Sequence, residues 1–444
     1  MAEISYGSNV WGERLMSLTL SFVGLSFIGI LILGNYYDQP ITQALSFTVQ
    51  DNERFDSGLG LHSFGDFQAI RYTLPTEEYP NVWINGPSAT PAPPTALLPN
   101  YLAKLIQLEF GVQISLYVYL FALFCCLSIP AVYAARTIEK TNEKVLTLLL
   151  LTVFAQPVIM TFDRGNSVAF ALPFIFFFAL NFLRQRILLA SIFLVSATAV
   201  RPQFILLGLA FLITRGSKAI MVSTISSLSI FFVSFLFMPG QYSTNIQSWY
   251  SNLRNYAKGS STVSTFPANL SLSTSFDGFI SPAWYSKSMV ALLIFIILIF
   301  YIFKTSSDRP RIVIISLSLP TLIPAVTYGY YSIFVIIIAT FVIINPTFLN
   351  HLKDVPLSSL TRVHKGLNNI YNYLLIIVIA TSLAPIPFVM QLGRNSIALE
   401  NFSSIWFVIL IATLCMQIYA WWILRGSSKF VLQPALIAES GPRD

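Results

Sequence analysis

Charged residues are scarce in this sequence. Asp, Glu, Lys and Arg together make up 10% of its 444 residues, while hydrophobic residues make up 55% and the mean hydropathy is +0.69. Soluble domains carry about a quarter charged residues, so this composition excludes a water-soluble globular protein of this length. It predicts a polytopic membrane protein instead.

Cysteine and histidine are also rare, with three residues of each. The cysteines lie inside apolar runs and two of them are neighbours, which predicts free thiols and excludes a disulfide scaffold. The histidines, His62, His351 and His364, lack the spacing of metal ligands. We therefore expect no transition-metal site and no required cofactor, although a divalent cation held by Asp66 and a substrate phosphate stays open.

Long apolar runs, by contrast, are abundant, and twelve of them are long enough, or nearly so, to cross a bilayer. They cover residues 16–34, 114–135, 145–160, 167–183, 187–200, 202–214, 219–238, 288–303, 312–327, 329–345, 370–390 and 404–424. The predicted fold is an all-α, polytopic transmembrane helical bundle with about twelve crossings. The runs 187–200 and 202–214 are short, so they are either two crossings or one re-entrant pair.

The distribution of positive charge predicts the topology. The net charge is +7, but the basic residues lie mostly in short connections between apolar runs, which argues against a nucleic-acid partner. With a cytoplasmic N-terminus, 17 of the 26 lysines and arginines fall on the inner side, as the positive-inside rule requires. We expect an integral plasma-membrane protein with both termini in the cytoplasm.

Two external segments, residues 35–113 and 239–287, are much longer than the cytoplasmic connections. Loops held by a rigid scaffold commonly carry function, so we expect the chemistry at the outer face of the membrane. Within the first segment, Pro93 and Pro94 predict the start of an interfacial helix at about Thr95, because proline fits the first turn of a helix.

Asp66 is the acid in the first external segment that calls for an explanation. It follows Gly65 and precedes Phe67, Ile70 and Leu74 at helical spacing. One interpretation is a helix N-cap, in which the carboxylate accepts hydrogen bonds from free backbone N–H groups. The other is a carboxylate at the membrane boundary that takes a proton from a hydroxyl. The pattern by itself favours the cap.

Two arginines lie at boundaries of apolar runs. Arg164 is in a short external turn between Asp163 and Gly165, and Arg201 lies where two apolar runs meet. Each is either the ion-pair partner of a nearby acid or a ligand for a lipid phosphate, whose geometry the guanidinium group matches. An ionisable residue within the membrane is costly, which makes Arg201 the stronger functional candidate.

Further candidates lie in aromatic surroundings. Arg254 and Lys258 are external and close to Tyr and Trp residues. They are either solvated cations in an interfacial aromatic belt or part of a diphosphate or sugar pocket. Tyr328, Tyr330 and Tyr331 lie in a tight external turn and are either belt residues or residues that stack on a sugar ring.

Five short motifs follow one another on the predicted external side. They are Gly65-Asp66-Phe67 with Tyr72, Ala92-Pro93-Pro94, Arg164-Gly165-Asn166, Arg201-Pro202 and Asn269-Leu270-Ser271. In this order and spacing, over about residues 10–345, the chain resembles the GT-C membrane glycosyltransferases. Among them it resembles glycosyltransferase family 87, which includes polyprenyl-phosphomannose and arabinofuranosyl transferases. It departs from the family pattern where Tyr330 and Tyr331 stand in place of histidines.

The resemblance implies an inverting glycosyltransferase. Such an enzyme moves a sugar, mannose or arabinofuranose, from a polyprenyl-phosphate donor to a glycolipid or cell-envelope glycan acceptor at the outer face, among membrane lipids. The resemblance also implies that residues 1–345 form the catalytic transmembrane module. Residues 346–444 then add C-terminal transmembrane helices and a cytoplasmic tail.

The resemblance further implies roles for single residues. Asp66 is the expected catalytic base. The donor phosphate is expected to bind Arg201 and Arg164, with Arg254 and Lys258 as weaker candidates. The expected sugar and acceptor pocket comprises His62, Asn166, Asn269, Tyr328, Tyr330 and Tyr331. Two other classes stay open, namely a polytopic transporter or lipid flippase and a non-catalytic lipid-binding scaffold.

Overall fold

The computed structural model describes a large part of the chain as a helical assembly. The described residues are 10–36, 64, 67, 92–212, 217–238, 240–263, 309–323, 329–345, 348–349, 362–384, 389–391, 397–399, 409–415 and 418. The predicted all-α class holds for this part of the chain, apart from one small pair of strands. That pair joins β1 (Val389–Gln391) to β2 (Ile397–Leu399) antiparallel, with Met390 opposite Ala398.

The α-helices, numbered along the described residues, are α1 (Val10–Tyr36), α2 (Pro94–Phe110), α3 (Val112–Thr137), α4 (Thr141–Leu151), α5 (Gln156–Arg164), α6 (Leu172–Leu183), α7 (Ile187–Val200), α8 (Ser217–Ser234), α9 (Tyr242–Val263), α10 (Arg309–Leu322), α11 (Val335–Ile344) and α12 (Arg362–Leu383). Short 3₁₀ helices cover Ser167–Ala171, Pro202–Leu212, Phe235–Phe237 and Gly329–Phe334. Helix α2 begins at Pro94, one residue before the predicted start, which confirms the helix, while its interfacial placement stays a prediction.

Within the described residues, three helices are long and apolar enough to cross a membrane: Val112–Thr137, Lys218–Phe237 and Gly366–Leu383. A fourth span results if α4 and α5, which meet at an angle of 51°, count as one crossing. The predicted total of about twelve crossings therefore stays a prediction. The run 288–303 lies outside the described residues, as does much of 404–424.

Proline explains why some predicted runs are broken. The run 145–160 divides into α4 and α5, and Pro157 lies in the first turn of α5. Proline has no N–H to donate and disfavours helical conformation in the residue before it, so a helix restarts at such a position rather than continuing through it. The run 167–183 likewise begins as a 3₁₀ helix, and Pro173 lies in the first turn of α6.

Burial distinguishes the centre of the bundle from its surface. Helices α10 and α11 are buried on all sides, from Arg311 to Leu322 and from Val335 to Ile343. Helices α3 and α8 instead bury one face and expose many large apolar side chains on the other. Exposed apolar surface of this extent is typical of contact with lipid or with another protein. Between its ends, a helix satisfies its backbone hydrogen bonds internally, as a bilayer requires.

Contacts of α3 identify two opposite ends of the bundle. Near the start of α3, the Tyr119 hydroxyl donates a hydrogen bond to the Gly165 carbonyl at 3.0 Å. Near its end, Arg184 donates to the Tyr133 hydroxyl at 2.6 Å. The two tyrosines are fourteen residues apart, or about 21 Å along a helix axis. Arg309, which donates to the Phe182 carbonyl, belongs to the Tyr133 end.

Candidate functional site

The turn from Asp163 to Ser167, here called the 163–167 turn, is the centre of the candidate site. Gly165 ends helix α5 in the left-handed conformation, with φ 63° and ψ 34°. Its N–H and that of Asn166 donate back to the Phe162 and Thr161 carbonyls, which closes the end of the helix. The Asn166 side chain accepts a hydrogen bond from the Val168 N–H at 2.9 Å and caps the following 3₁₀ helix. The sequence-predicted turn is thereby confirmed.

The residues on either side of the Gly65–Asp66 pair pack against this turn. The Phe64 N–H donates to the Asp163 carbonyl at 2.6 Å. Phe67 is fully buried, and its ring lies 4.4 Å from the ring of Tyr119, the residue that bonds Gly165. The turn therefore anchors both ends of the short segment that contains Asp66 in the sequence. Asp66 itself lies outside the described residues.

Arg201 is held beside the same turn. It caps the end of helix α7 in an extended conformation, and Pro202 follows it. Because proline disfavours helical conformation in the residue before it, the sequence stops α7 at this position. One terminal nitrogen of the Arg201 guanidinium donates to the Ser167 hydroxyl at 3.2 Å, and the side chain keeps part of its surface exposed. A partly exposed cation held at a fixed position can bind an anionic group of a ligand.

Arg164, the second cation of the turn, is the last residue of α5 and is partly exposed. A positive charge at this position interacts favourably with the C-terminal end of the helix dipole. The structure thus brings Arg164, Asn166 and Arg201 to one region. None of these contacts tests what the three side chains bind.

Tyr331 comes to this region from the other half of the chain. The 3₁₀ helix Gly329–Phe334 packs against α5, and Tyr331 is 5% exposed. Its ring centroid lies 6.3 Å from that of Phe204, three residues after Arg201. Tyr331 therefore packs on Phe204, and its predicted stacking on a sugar stays a prediction.

The other predicted site residues are described in part or not at all. Arg254 and Lys258 belong to helix α9, which packs through Trp249 on Phe235, but their side chains lie outside the described set. The same holds for the side chain of Tyr330. The predicted site residues that lie wholly outside the described residues are His62, Asp66, Asn269 and Tyr328.

The described residues were also compared with the requirements of a metal site. Among the described residues, no group of three or more His, Cys, Asp or Glu side chains is arranged to hold a metal ion. Because Asp66 is outside this set, the sequence-based expectation about a divalent cation stays a prediction.

Three residues of the site escaped the sequence analysis: Ser167, Tyr119 and Phe67. Ser167 holds Arg201, and its only sequence signal is its position directly after the Arg-Gly-Asn motif. Tyr119 follows Ser115 by four residues in an otherwise apolar run, so a polar face of α3 was visible in the sequence. Phe67 was identified as part of a helical spacing and of the Gly65-Asp66-Phe67 motif, but not as a residue that packs on Tyr119.

The comparison with protein families shows which family the chain belongs to. The model of glycosyltransferase family 87 matches residues 91–326, which is more than half of the chain. The chain belongs to glycosyltransferase family 87. No curated protein and no solved structure gave a significant match.

Membership of family 87 makes this protein a glycosyltransferase, and its apolar helices are those of a membrane protein. The matched range contains the 163–167 turn, Arg201, Arg254, Lys258 and Asn269, but it begins after Asp66. Nothing in the family match or in the described residues favours the transporter or flippase interpretation.

Replacing Gly165 with Ala is expected to destabilise the family 87 protein and disturb its site. The left-handed conformation costs an alanine about 1–2 kcal/mol, and a Cβ atom at this position would lie 3.0 Å from the Phe67 Cβ. The thermal unfolding midpoint of the detergent-solubilised protein should fall. Gly24→Ala in α1, where an added Cβ meets nothing within 4 Å, is the control and should be neutral or stabilising. Equal midpoints for Gly165→Ala and wild type would contradict the geometry.

Proposed function

We propose that this protein is an inverting glycosyltransferase that uses a polyprenyl-phosphate sugar as donor. It transfers the sugar, mannose or arabinofuranose, to a glycolipid or cell-envelope glycan at the outer face of the plasma membrane. The observation that supports this most is the shared anchoring of two elements on the 163–167 turn. Ser167 accepts a hydrogen bond from the Arg201 guanidinium. The turn also packs against Phe64 and Phe67, and Phe67 directly follows Asp66 in the chain.

The proposed reaction is a single displacement at the anomeric carbon of the sugar. The acceptor hydroxyl oxygen forms the new bond to this carbon on the face opposite the phosphate. Its proton passes to the Asp66 carboxylate, and the bond between the anomeric carbon and the phosphate oxygen breaks with its electron pair on the oxygen. One carboxylate suffices, because no covalent glycosyl intermediate forms when the configuration is inverted.

Arg201 and Arg164 supply the positive charge for the leaving group. Negative charge grows on the phosphate oxygens as the bond breaks, so cations held at fixed positions stabilise the transition state more than the ground state. Arg201 is the stronger candidate, since its hydrogen bond to Ser167 limits where the guanidinium lies. Any metal ion that binds with the donor phosphate would add to this charge stabilisation.

The contacts at the two ends of α3 support a location of the candidate site at the outer face of the membrane. Arg184 and Arg309, which the positive-inside rule assigns to the cytoplasm, form their contacts at the Tyr133 end of α3. The 163–167 turn contacts Tyr119 at the opposite end of α3. Asp163→Cys, in a background in which the three native cysteines are replaced, is labelled in intact cells with a membrane-impermeant maleimide to test this orientation. Labelling only after the membrane is opened would contradict it.

The direct test is sugar transfer by the purified protein. Polyprenyl-phosphate mannose and polyprenyl-phosphate arabinofuranose are supplied in turn with a membrane-extract acceptor. Consumption of one donor, with release of polyprenyl phosphate and a product of inverted configuration, is the expected result. Retained configuration would exclude the single displacement. Turnover of nucleotide sugars, but of neither lipid-linked donor, would exclude the proposed donor class.

A further inference from the structure

Asn100 is a buried polar residue that the proposed mechanism does not use. It lies in the middle of helix α2 and is 0% exposed. Among the residues that the structure describes, neither its side-chain oxygen nor its side-chain nitrogen has a hydrogen-bond partner. Asparagine is also a poor helix former compared with alanine or leucine. Local structure therefore gives no reason for asparagine at this position.

Two neighbours of Asn100 on α2 are buried and apolar, while Lys104, four residues after it, is partly exposed. Ala96 and Ala103, four residues before it and three after it, share its buried face, with 1% and 3% exposure. Ala96 belongs to a small apolar cluster with Leu97 and Phe235, and Ala103 belongs to the main core. Asn100 thus lies where these two apolar clusters meet.

Helix α2 borders the candidate site. Helix α2 packs against the 3₁₀ helix Ser167–Ala171, which begins with the residue that holds Arg201. It also packs against helix α7, whose last turn leads into Arg201, and against α8. Asn100 is therefore on an element that borders the proposed donor site.

The chemistry of a carboxamide limits what can bind Asn100. A buried amide that lacks hydrogen bonds destabilises the protein, so such a group in a site calls for a partner. Its oxygen only accepts hydrogen bonds and its nitrogen only donates them. A phosphate has acceptor oxygens alone, so it would satisfy the nitrogen and repel the oxygen. A sugar hydroxyl both donates and accepts, and two neighbouring hydroxyls satisfy both atoms of the amide at once.

We propose that Asn100 binds a ring hydroxyl of the transferred sugar and thereby helps to select the donor. This inference rests on the proposed function and adds a specificity residue to it. Arg201 binds the donor phosphate, and Asn100, on the neighbouring helix α2, binds the sugar.

The test pairs a substitution in the protein with deletions in the donor. Wild type and Asn100→Leu are assayed with the lipid-linked sugar that wild type uses and with analogues that each lack one hydroxyl. For wild type, loss of the hydroxyl bound by Asn100 should lower kcat/KM by about 10- to 100-fold, because the buried amide is left unsatisfied. For Asn100→Leu, kcat/KM with the parent donor should fall by a similar factor. Its kcat/KM with that analogue should equal its kcat/KM with the parent donor.

Asn372→Leu is the matched control. Asn372 in helix α12 is also 0% exposed, and its amide atoms likewise lack partners among the described residues. Its neighbour Tyr371 lies beside Arg311, near the start of α10. The candidate site is near the other end of α10, because Pro320 accepts a hydrogen bond from Gln203, two residues after Arg201. Nine residues of α10 separate these contacts by about 13 Å. Asn372→Leu should therefore leave donor discrimination unchanged.

Stability gives an independent readout. If Asn100 is reserved for a ligand, Asn100→Leu without donor should unfold at a temperature no lower than wild type, since an unsatisfied amide is replaced by an apolar group. A clear drop in this midpoint would show that Asn100 has a protein partner and would overturn the inference. Equal losses for the parent donor and every analogue would also overturn it, while wild-type turnover would leave the proposed function standing. If wild type uses no lipid-linked donor, the proposed function fails and the inference fails with it.

Discussion

Asp66→Asn is expected to lower the rate of sugar transfer by about 10²- to 10⁴-fold, the usual contribution of a general base. The amide has nearly the size of the carboxylate and keeps its ability to accept a hydrogen bond, but it cannot take the proton of the acceptor hydroxyl at neutral pH. Folding and donor binding should therefore be preserved. Single-turnover transfer from the lipid-linked donor measures the rate. Equilibrium binding of the same donor measures its affinity, and thermal unfolding measures stability.

Asp51→Asn is the matched control for this substitution, because Asp51 is an acid of the same external segment with no assigned role. It should transfer sugar at the wild-type rate. If Asp66→Asn retained full activity, the base would lie elsewhere, and Asp163 or Asp56 would be the next candidate. An N-cap role alone would leave Asp66→Asn both stable and active, because asparagine caps a helix about as well as aspartate, whereas Asp66→Ala would lower the unfolding temperature.

Arg201→Gln is expected to lower kcat by about 10²- to 10³-fold, comparable to the loss of one preorganised group that stabilises transition-state charge. KM should change much less, because charge on the departing phosphate is greatest in the transition state. Arg201→Lys keeps the charge but loses the planar group that reaches Ser167, so an intermediate rate is expected. Steady-state kinetics with the lipid-linked donor separate the two parameters.

Arg184→Gln serves as the control for Arg201. Both guanidinium groups donate to a hydroxyl, Arg201 to Ser167 and Arg184 to Tyr133, but they lie at opposite ends of α3. The Arg184 variant should keep the wild-type kcat. A raised KM with an unchanged kcat in Arg201→Gln would limit Arg201 to ground-state binding and contradict its role in the transition state.

Several features of the fold and site were predictable because they depend on local chemistry. The apolar run 187–200 coincides with helix α7, and Pro202 explains why this helix stops at Arg201. Gly165 was predicted to form a turn, and its positive φ is the conformation that glycine adopts with little strain. Helix α2 begins at Pro94, since proline is compatible with the first turn.

Other features depend on partners that are distant in the sequence. The hydrogen bond from Tyr119 to Gly165 joins residues 46 positions apart, and that from Gln203 to Pro320 joins residues 117 positions apart. Periodicity shows which face of a helix is apolar, but not which other helix that face meets. The sequence analysis therefore missed Ser167 as the residue that holds Arg201, and it gave Asn100 no role.

The sequence by itself determined that this protein is helical and suited to a membrane, and the order of its short motifs indicated the resemblance to family 87. These properties follow from composition, apolar periodicity and the conformational limits of proline and glycine, which act within a few residues. Only the tertiary structure decided that Phe64, Phe67, Tyr119 and Arg201 meet at one turn, and that Asn100 is buried on a helix that packs against the 3₁₀ helix Ser167–Ala171. Such contacts arise from packing between distant helices, and each helix has several apolar faces that could have met another partner.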